Sequence, residues 1–128
     1  MSWANGLRKE YHCDTLALPA AANSYAFGSR FGATRVGQAY DSFQGVTVGV
    51  ETSVASMVVE LWIAKLGPAA AGTRSFATYV NDDFVYSGQA LDAATGTETF
   101  VLAGWPCFEI RVKSGGTAGS PIISATAL

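Results

Sequence analysis

Charge is scarce in this chain. Asp, Glu, Lys and Arg make up 14% of its 128 residues, against about 25% in an ordinary soluble domain. Eight Lys and Arg stand against ten Asp and Glu, a net charge of −2, and the cations are scattered. A nucleic-acid-binding domain neutralises phosphates with a basic stripe, so no nucleic acid is expected as a partner. Long apolar runs are missing as well. The longest, residues 56–71, is broken by Glu60, Lys65 and Pro68, which is too short for a membrane helix; no membrane is expected either. The opening "MSWANGLRKEYH" has no apolar segment of the kind that directs secretion, which leads to the expectation of a protein made in a cytoplasm without an export signal of its own.

Histidine and cysteine are almost absent. His12, Cys13 and Cys107 cannot supply the three or four ligands of a zinc site. Adjacent side chains on a strand diverge, so His12 and Cys13 do not form a nucleophile–base dyad. No G-x-S-x-G elbow occurs. "SGGTAGS" (114–120) lacks the lysine and helix of a phosphate loop, and its glycines suit a tight connection. Asp82-Asp83 beside Asn81 reads as a turn former before a calcium ligand. No pair among the ten acids stands out as glycoside hydrolysis requires. No catalytic residue, cofactor or metal site is expected, and the chain is read as not an enzyme. The two cysteines could pair if their strands lie side by side, but a reducing compartment favours free, buried thiols.

What the chain has is a series of short alternating stretches between glycine, proline and asparagine. Strands are expected over 15–18, 24–27, 33–40, 45–51, 56–66, 73–80, 84–86, 97–102, 107–113 and 121–127. Asn81-Asp82-Asp83 reads as a hairpin connection, and 87–96 as a polar loop with one helical turn near 91–94. In 107–113, Phe108, Ile110 and Val112 share one side and Glu109, Arg111 and Lys113 the other, the period of a half-buried strand. With no helix of ten residues, the pattern is all-β: an antiparallel β-sandwich or jelly roll of about eight strands. Residues 13–128 form a single β-sandwich domain, long enough for one real core. Residues 1–12 form an N-terminal arm in which Trp3, Leu7 and Tyr11 recur at spacing four.

The stretch 56–66 is largely apolar on both faces, with Met57, Val59, Leu61 and Ile63 against Val58, Glu60, Trp62, Ala64 and Leu66. One face of a sandwich strand meets the core, which leaves Val58 and Trp62 as candidate protein–protein contacts, together with Trp3, Leu7 and Tyr11 of the arm. Scarce charge has two explanations: hydroxyl and amide side chains solvate the exterior, or neighbouring protein covers it.

"GWPCFEIRVKSGGTAGSPIISATAL" (104–128) resembles the final hairpin of small β-sandwich virion proteins of tailed bacteriophages, and "DTLALPAAANSYAF" (14–27) is similar to their opening strand. The resemblance implies a virion structural component, either a head decoration or minor capsid protein or a tail or fibre module. Such a protein is assembled in the host cytoplasm, with copies of itself and a major capsid or tail protein as partners. The alternative is a carbohydrate-binding module recognising a host surface glycan, with Trp105, Tyr79, Tyr86 and Asp82-Asp83 as its platform.

Overall fold

The computed structural model describes residues 10–32, 43–65, 79–92, 96–102 and 107–128. Their strands are β1 (Glu10–Thr15), β2 (Tyr25–Gly32), β3 (Gly45–Thr52), β4 (Val58–Ala64), β5 (Phe84–Asp92), β6 (Thr97–Val101), β7 (Cys107–Lys113) and β8 (Ile122–Ala127), with a 3-10 turn at Asn81–Asp83. They form two four-stranded sheets, β1-β8-β3-β6 (sheet 1) and β2-β7-β4-β5 (sheet 2).

The order obeys one rule. β1 pairs with β8, β2 with β7, β3 with β6 and β4 with β5, all antiparallel. The chain is one long hairpin closed between β4 and β5, and every other connection crosses between the sheets. This is a jelly roll, an all-β antiparallel sandwich.

Inward positions fill the space between the sheets. Val46, Val48, Phe100, Ile123 and Ala125 come from sheet 1, and Phe31, Val59, Leu61, Phe108 and Val112 from sheet 2. Phe31 and Phe108 are cross-strand partners with stacked rings, centroids 4.6 Å apart, and Phe43 meets Phe108 edge-on at 5.6 Å. Fully burying side chains of this size contributes about 1.5–3 kcal/mol each. His12 sits opposite Ala125 on the inward side of β1 and sets its ring edge-on to Phe31 at 4.4 Å. The lone histidine packs at the rim of the core.

Several expectations change. β1 begins at Glu10, so Tyr11 and His12, read as arm, lie in the sheet. The strand read over 15–18 is an irregular continuation, where Leu16 and Leu18 donate backbone hydrogen bonds to Pro121 and Gly119. β5 runs on through Asp92, replacing most of the expected 87–96 loop. The connection at Asn81–Asp83 is a 3-10 turn. The strand expected over 33–40, residues 73–78 of the one expected over 73–80, and residues 93–94 of the helical turn expected near 91–94 lie outside the described residues, while Tyr79 and Val80 are not in a strand.

The glycine-rich segment after β7 is not a hairpin turn. β7 belongs to sheet 2 and β8 to sheet 1, so 114–121 arches between the layers. Ser114 pins the arch: its hydroxyl donates to the Pro19 carbonyl at 2.6 Å, and its backbone exchanges 2.8 Å bonds with Asn23 and Ser24. Cys13 is exposed on sheet 1 and Cys107 is buried in sheet 2; no disulfide joins them. The expectation of two buried thiols fails at Cys13, which points outward from β1.

Candidate functional site

Antiparallel partners project from the same face of a sheet, so the register shows what each exterior presents. On sheet 1 the outward rows are Tyr11–Thr126–Thr47–Thr99 and Cys13–Ser124–Gly49–Thr97. Hydroxyls dominate and no ion occurs in either row. Thr47 and Thr99 hydroxyls bond each other at 3.0 Å. In these two rows short polar side chains meet the solvent in place of charge.

Sheet 2 differs. Its outward rows are Phe27–Arg111–Glu60–Ala90 and Arg30–Glu109–Trp62–Tyr86, with Tyr25–Lys113–Val58–Asp92 beside them. β7 is therefore buried on both faces, not half-buried. Glu60, Glu109 and Arg111 are 3%, 1% and 5% exposed, and buried ions are tolerated only when paired and hydrogen-bonded. Register supplies the counter-charges, because each cation has an acid on a neighbouring strand. Glu109 accepts from Arg30 Nε at 2.9 Å and from Arg111 Nε. Glu60 Oε1 accepts from the Tyr25 hydroxyl at 3.1 Å and from Trp62 Nε1 at 3.0 Å, and Lys113 Nζ lies 3.7 Å from its other oxygen.

Aromatic rings cover these ions. The Arg111 guanidinium lies 4.0 Å from the Trp62 ring centre and 4.8 Å from that of Phe27, within cation–π range. Tyr25 meets Trp62 edge-on at 5.5 Å, and Tyr86 flanks it at 5.8 Å. Burial, then the charge of Glu60 and its hydrogen bond, pushes the Tyr25 phenol up to about 12. Burial and Glu60 also raise Tyr86. Phe27 and Tyr86 remain 46% and 40% exposed. The result is a ridge of rings held in place by ion pairs beneath, with both carboxylates engaged by cations.

Val58 and Trp62 lie partly buried on this face. Tyr11 stands on the opposite side of the sandwich, 61% exposed on sheet 1, so the structure does not unite it with them. Trp3 and Leu7 lie outside the described residues. Sequence reasoning missed Tyr25, Phe27 and Arg111, and singled out Tyr86 only for the alternative sugar platform; the alternation of Tyr25 and Phe27 was the available signal. Of the proposed sugar platform, Tyr86 is exposed and Tyr79 is buried at 4%, while Trp105 lies outside the described residues. Among the described residues no group of three or more His, Cys, Asp or Glu is placed to hold a metal.

No protein-family model and no curated protein matches this chain. Among solved structures it is similar to PliG of Aeromonas hydrophila, a periplasmic inhibitor of g-type lysozyme, with a TM-score of 0.46, 10% identity and coverage of 94% of this chain and 83% of that one. It is similar to the SPBc2 prophage-derived protein YomS at TM-score 0.42 and 13% identity, covering 94% of both chains. A third likeness is to Bacillus endospore appendages, which form disulfide-linked pili, at TM-score 0.41 and 11% identity over 94% of this chain and 84% of that one. At such scores these likenesses include a phage-derived protein without assigning a role, and the jelly-roll fold rests on this chain's own strand register.

Proposed function

We propose that this chain is a non-enzymatic structural component of a bacteriophage particle, a head decoration or minor capsid protein, attached through the outer face of sheet 2. The observation that carries the reading is the aromatic ridge of Phe27, Trp62 and Tyr86, locked around the Arg111 guanidinium. Trp, Tyr and Arg dominate the energetics of protein contacts when they are pre-positioned, and rings already fixed by ion pairs lose little entropy on docking. The phage-like segments 14–27 and 104–128 support the setting, and jelly rolls serve in viral capsids, an argument by fold analogy alone. Partners are further copies of this chain and a major capsid or tail protein, with no nucleic acid, membrane or cofactor involved. The glycan reading is weaker, because Tyr79 is buried and Arg111 covers one face of Trp62.

The test is co-sedimentation of the purified protein with shells and with tails built from structural proteins encoded beside it, alongside light scattering for self-association. Attachment lost in Phe27→Ala/Tyr86→Ala, with thermal stability retained, supports the reading. A monomer that attaches to neither particle overturns it, and attachment to tails alone moves the placement from head to tail.

A further inference from the structure

Tyr79, Val80 and the Asn81–Asp83 turn lie over the outer face of sheet 2. Tyr79 closes a second apolar cluster with Ala64, Phe84 and Cys107 of the sheet, with Trp62 at its rim. The sheet separates this cluster from the main core.

Side chains hold the segment down. Arg30 donates from Nη1 to the Tyr79 carbonyl at 2.5 Å and from Nη2 to Asn81 Oδ1 at 3.0 Å. Arg111 donates from Nη2 to the Asn81 carbonyl at 2.8 Å. Both guanidiniums are aimed by one acceptor, since Glu109 binds the Nε of each. The turn also closes on itself: Asp83 N donates to the Val80 carbonyl at 2.9 Å, and Val80 N to Asp83 Oδ2 at 2.8 Å. At its far end, Lys65 N donates to the Asp83 carbonyl at 2.8 Å. Among the described residues the segment is fastened by its own internal bonds, by side chains and by one backbone bond at its end, and a segment held in this way opens at lower free energy than the whole domain.

We propose that residues 79–83 are a strap keyed by Glu109, which lifts from the sheet without unfolding the jelly roll. Lifting uncovers the Cys107 thiol and the Phe84 ring, and so enlarges the aromatic surface of this face. The closed and open states of the strap are properties of the free chain, whatever partner the face meets.

The experiment uses the full chain with Cys13→Ser, leaving Cys107 as the one thiol, and follows its reaction with an aromatic disulfide reagent at urea concentrations below the unfolding transition. The expected rate exceeds that allowed by global unfolding at least tenfold and barely changes with urea. Glu109→Gln is expected to raise it a further tenfold or more. Because that variant risks misfolding, Asn81→Ala, which trims only the strap, is run in parallel and is expected to raise the rate severalfold with the near-UV spectrum of the core unchanged. Labelling that tracks global unfolding with its full urea dependence, or a rate that Asn81→Ala leaves unmoved, overturns the proposal.

Discussion

The side chain of Gln89 and the backbone of Val101 hydrogen-bond each other twice: Nε2 donates to the carbonyl and Oε1 accepts from the N–H, both at 2.7 Å. The two residues lie on the edge strands β5 and β6, which belong to different sheets. One amide side chain thus does what a neighbouring strand would do for Val101. On the other side of the sandwich the Asp14 carboxylate accepts from the Ser29 N–H at 3.3 Å and its hydroxyl at 3.0 Å, joining β1 to β2.

Gln89→Ala removes both bonds and is expected to cost about 1–2 kcal/mol, a drop of several degrees in melting temperature. Gln89→Glu keeps the shape but sets a carboxylate against the Val101 carbonyl. Only its neutral form reproduces the amide pairing, so the folded-state pKa rises above about 4.3. Stability of that variant relative to the native protein should then improve as pH falls through that raised pKa, read from thermal melts at neutral and acid pH.

Arg111→Ala is expected to cost about 3–5 kcal/mol, because it leaves the buried Glu109 with Arg30 alone. Arg111→Lys should recover less than half of that loss. Its ammonium carries the charge but can neither stack flat on Trp62 nor fork between Glu109 and Asn81. Urea midpoints measure the cost, and tryptophan emission reports the loss of the stack.

The raised phenol of Tyr25 makes stability fall in alkali. Its contribution is fully present below the unfolded tyrosine value of 10.0 and is lost as pH climbs toward the folded value of about 12. Titration of tyrosinate absorbance in the folded protein should show a late-ionising phenol near 12 that Tyr25→Phe abolishes. A Tyr25 that ionises with the ordinary tyrosines contradicts this.

Gly115→Ala tests the arch. A Cβ there would come within 2.4 Å of both Ser56 Cβ and its carbonyl oxygen, so two backbone segments must part. The expected loss is about 1–3 kcal/mol, in the range of other overpacking changes, measured by urea denaturation.

Parts of this architecture are legible in the chain. β3 and β8 alternate cleanly, and each lies within a residue of its expected span. β1 was obscured because Trp3, Leu7 and Tyr11 mimic a helical repeat, while the competing alternation of Tyr11, Cys13 and Thr15 is polar and short. The later half of β5 contains Gly88, Ala90 and Asp92, poor strand formers; pairing of Leu91 with Val59 overrides their propensity. The outward row of β7 reads as a solvent face, because Glu109 and Arg111 are charged. Only the register beside Arg30 and Glu60 turns that row into a buried one, and register between distant strands is not written in local periodicity. For the same reason Val58 and Trp62 could be picked out from their own strand, whereas Phe27 and Tyr86 could not be assigned to the same ridge.

The last strand in the sequence is not at a margin of the fold: β8 lies between β1 and β3. Sheet 1 therefore stays in two pieces until translation has passed residue 127, and the ribosome must emit almost the whole domain before the layer can close. During that interval β1 and β3 each present an unzipped edge, the kind of surface that invites aggregation and chaperone capture. Truncations that remove β8 should accordingly yield insoluble chains rather than a slightly smaller sandwich.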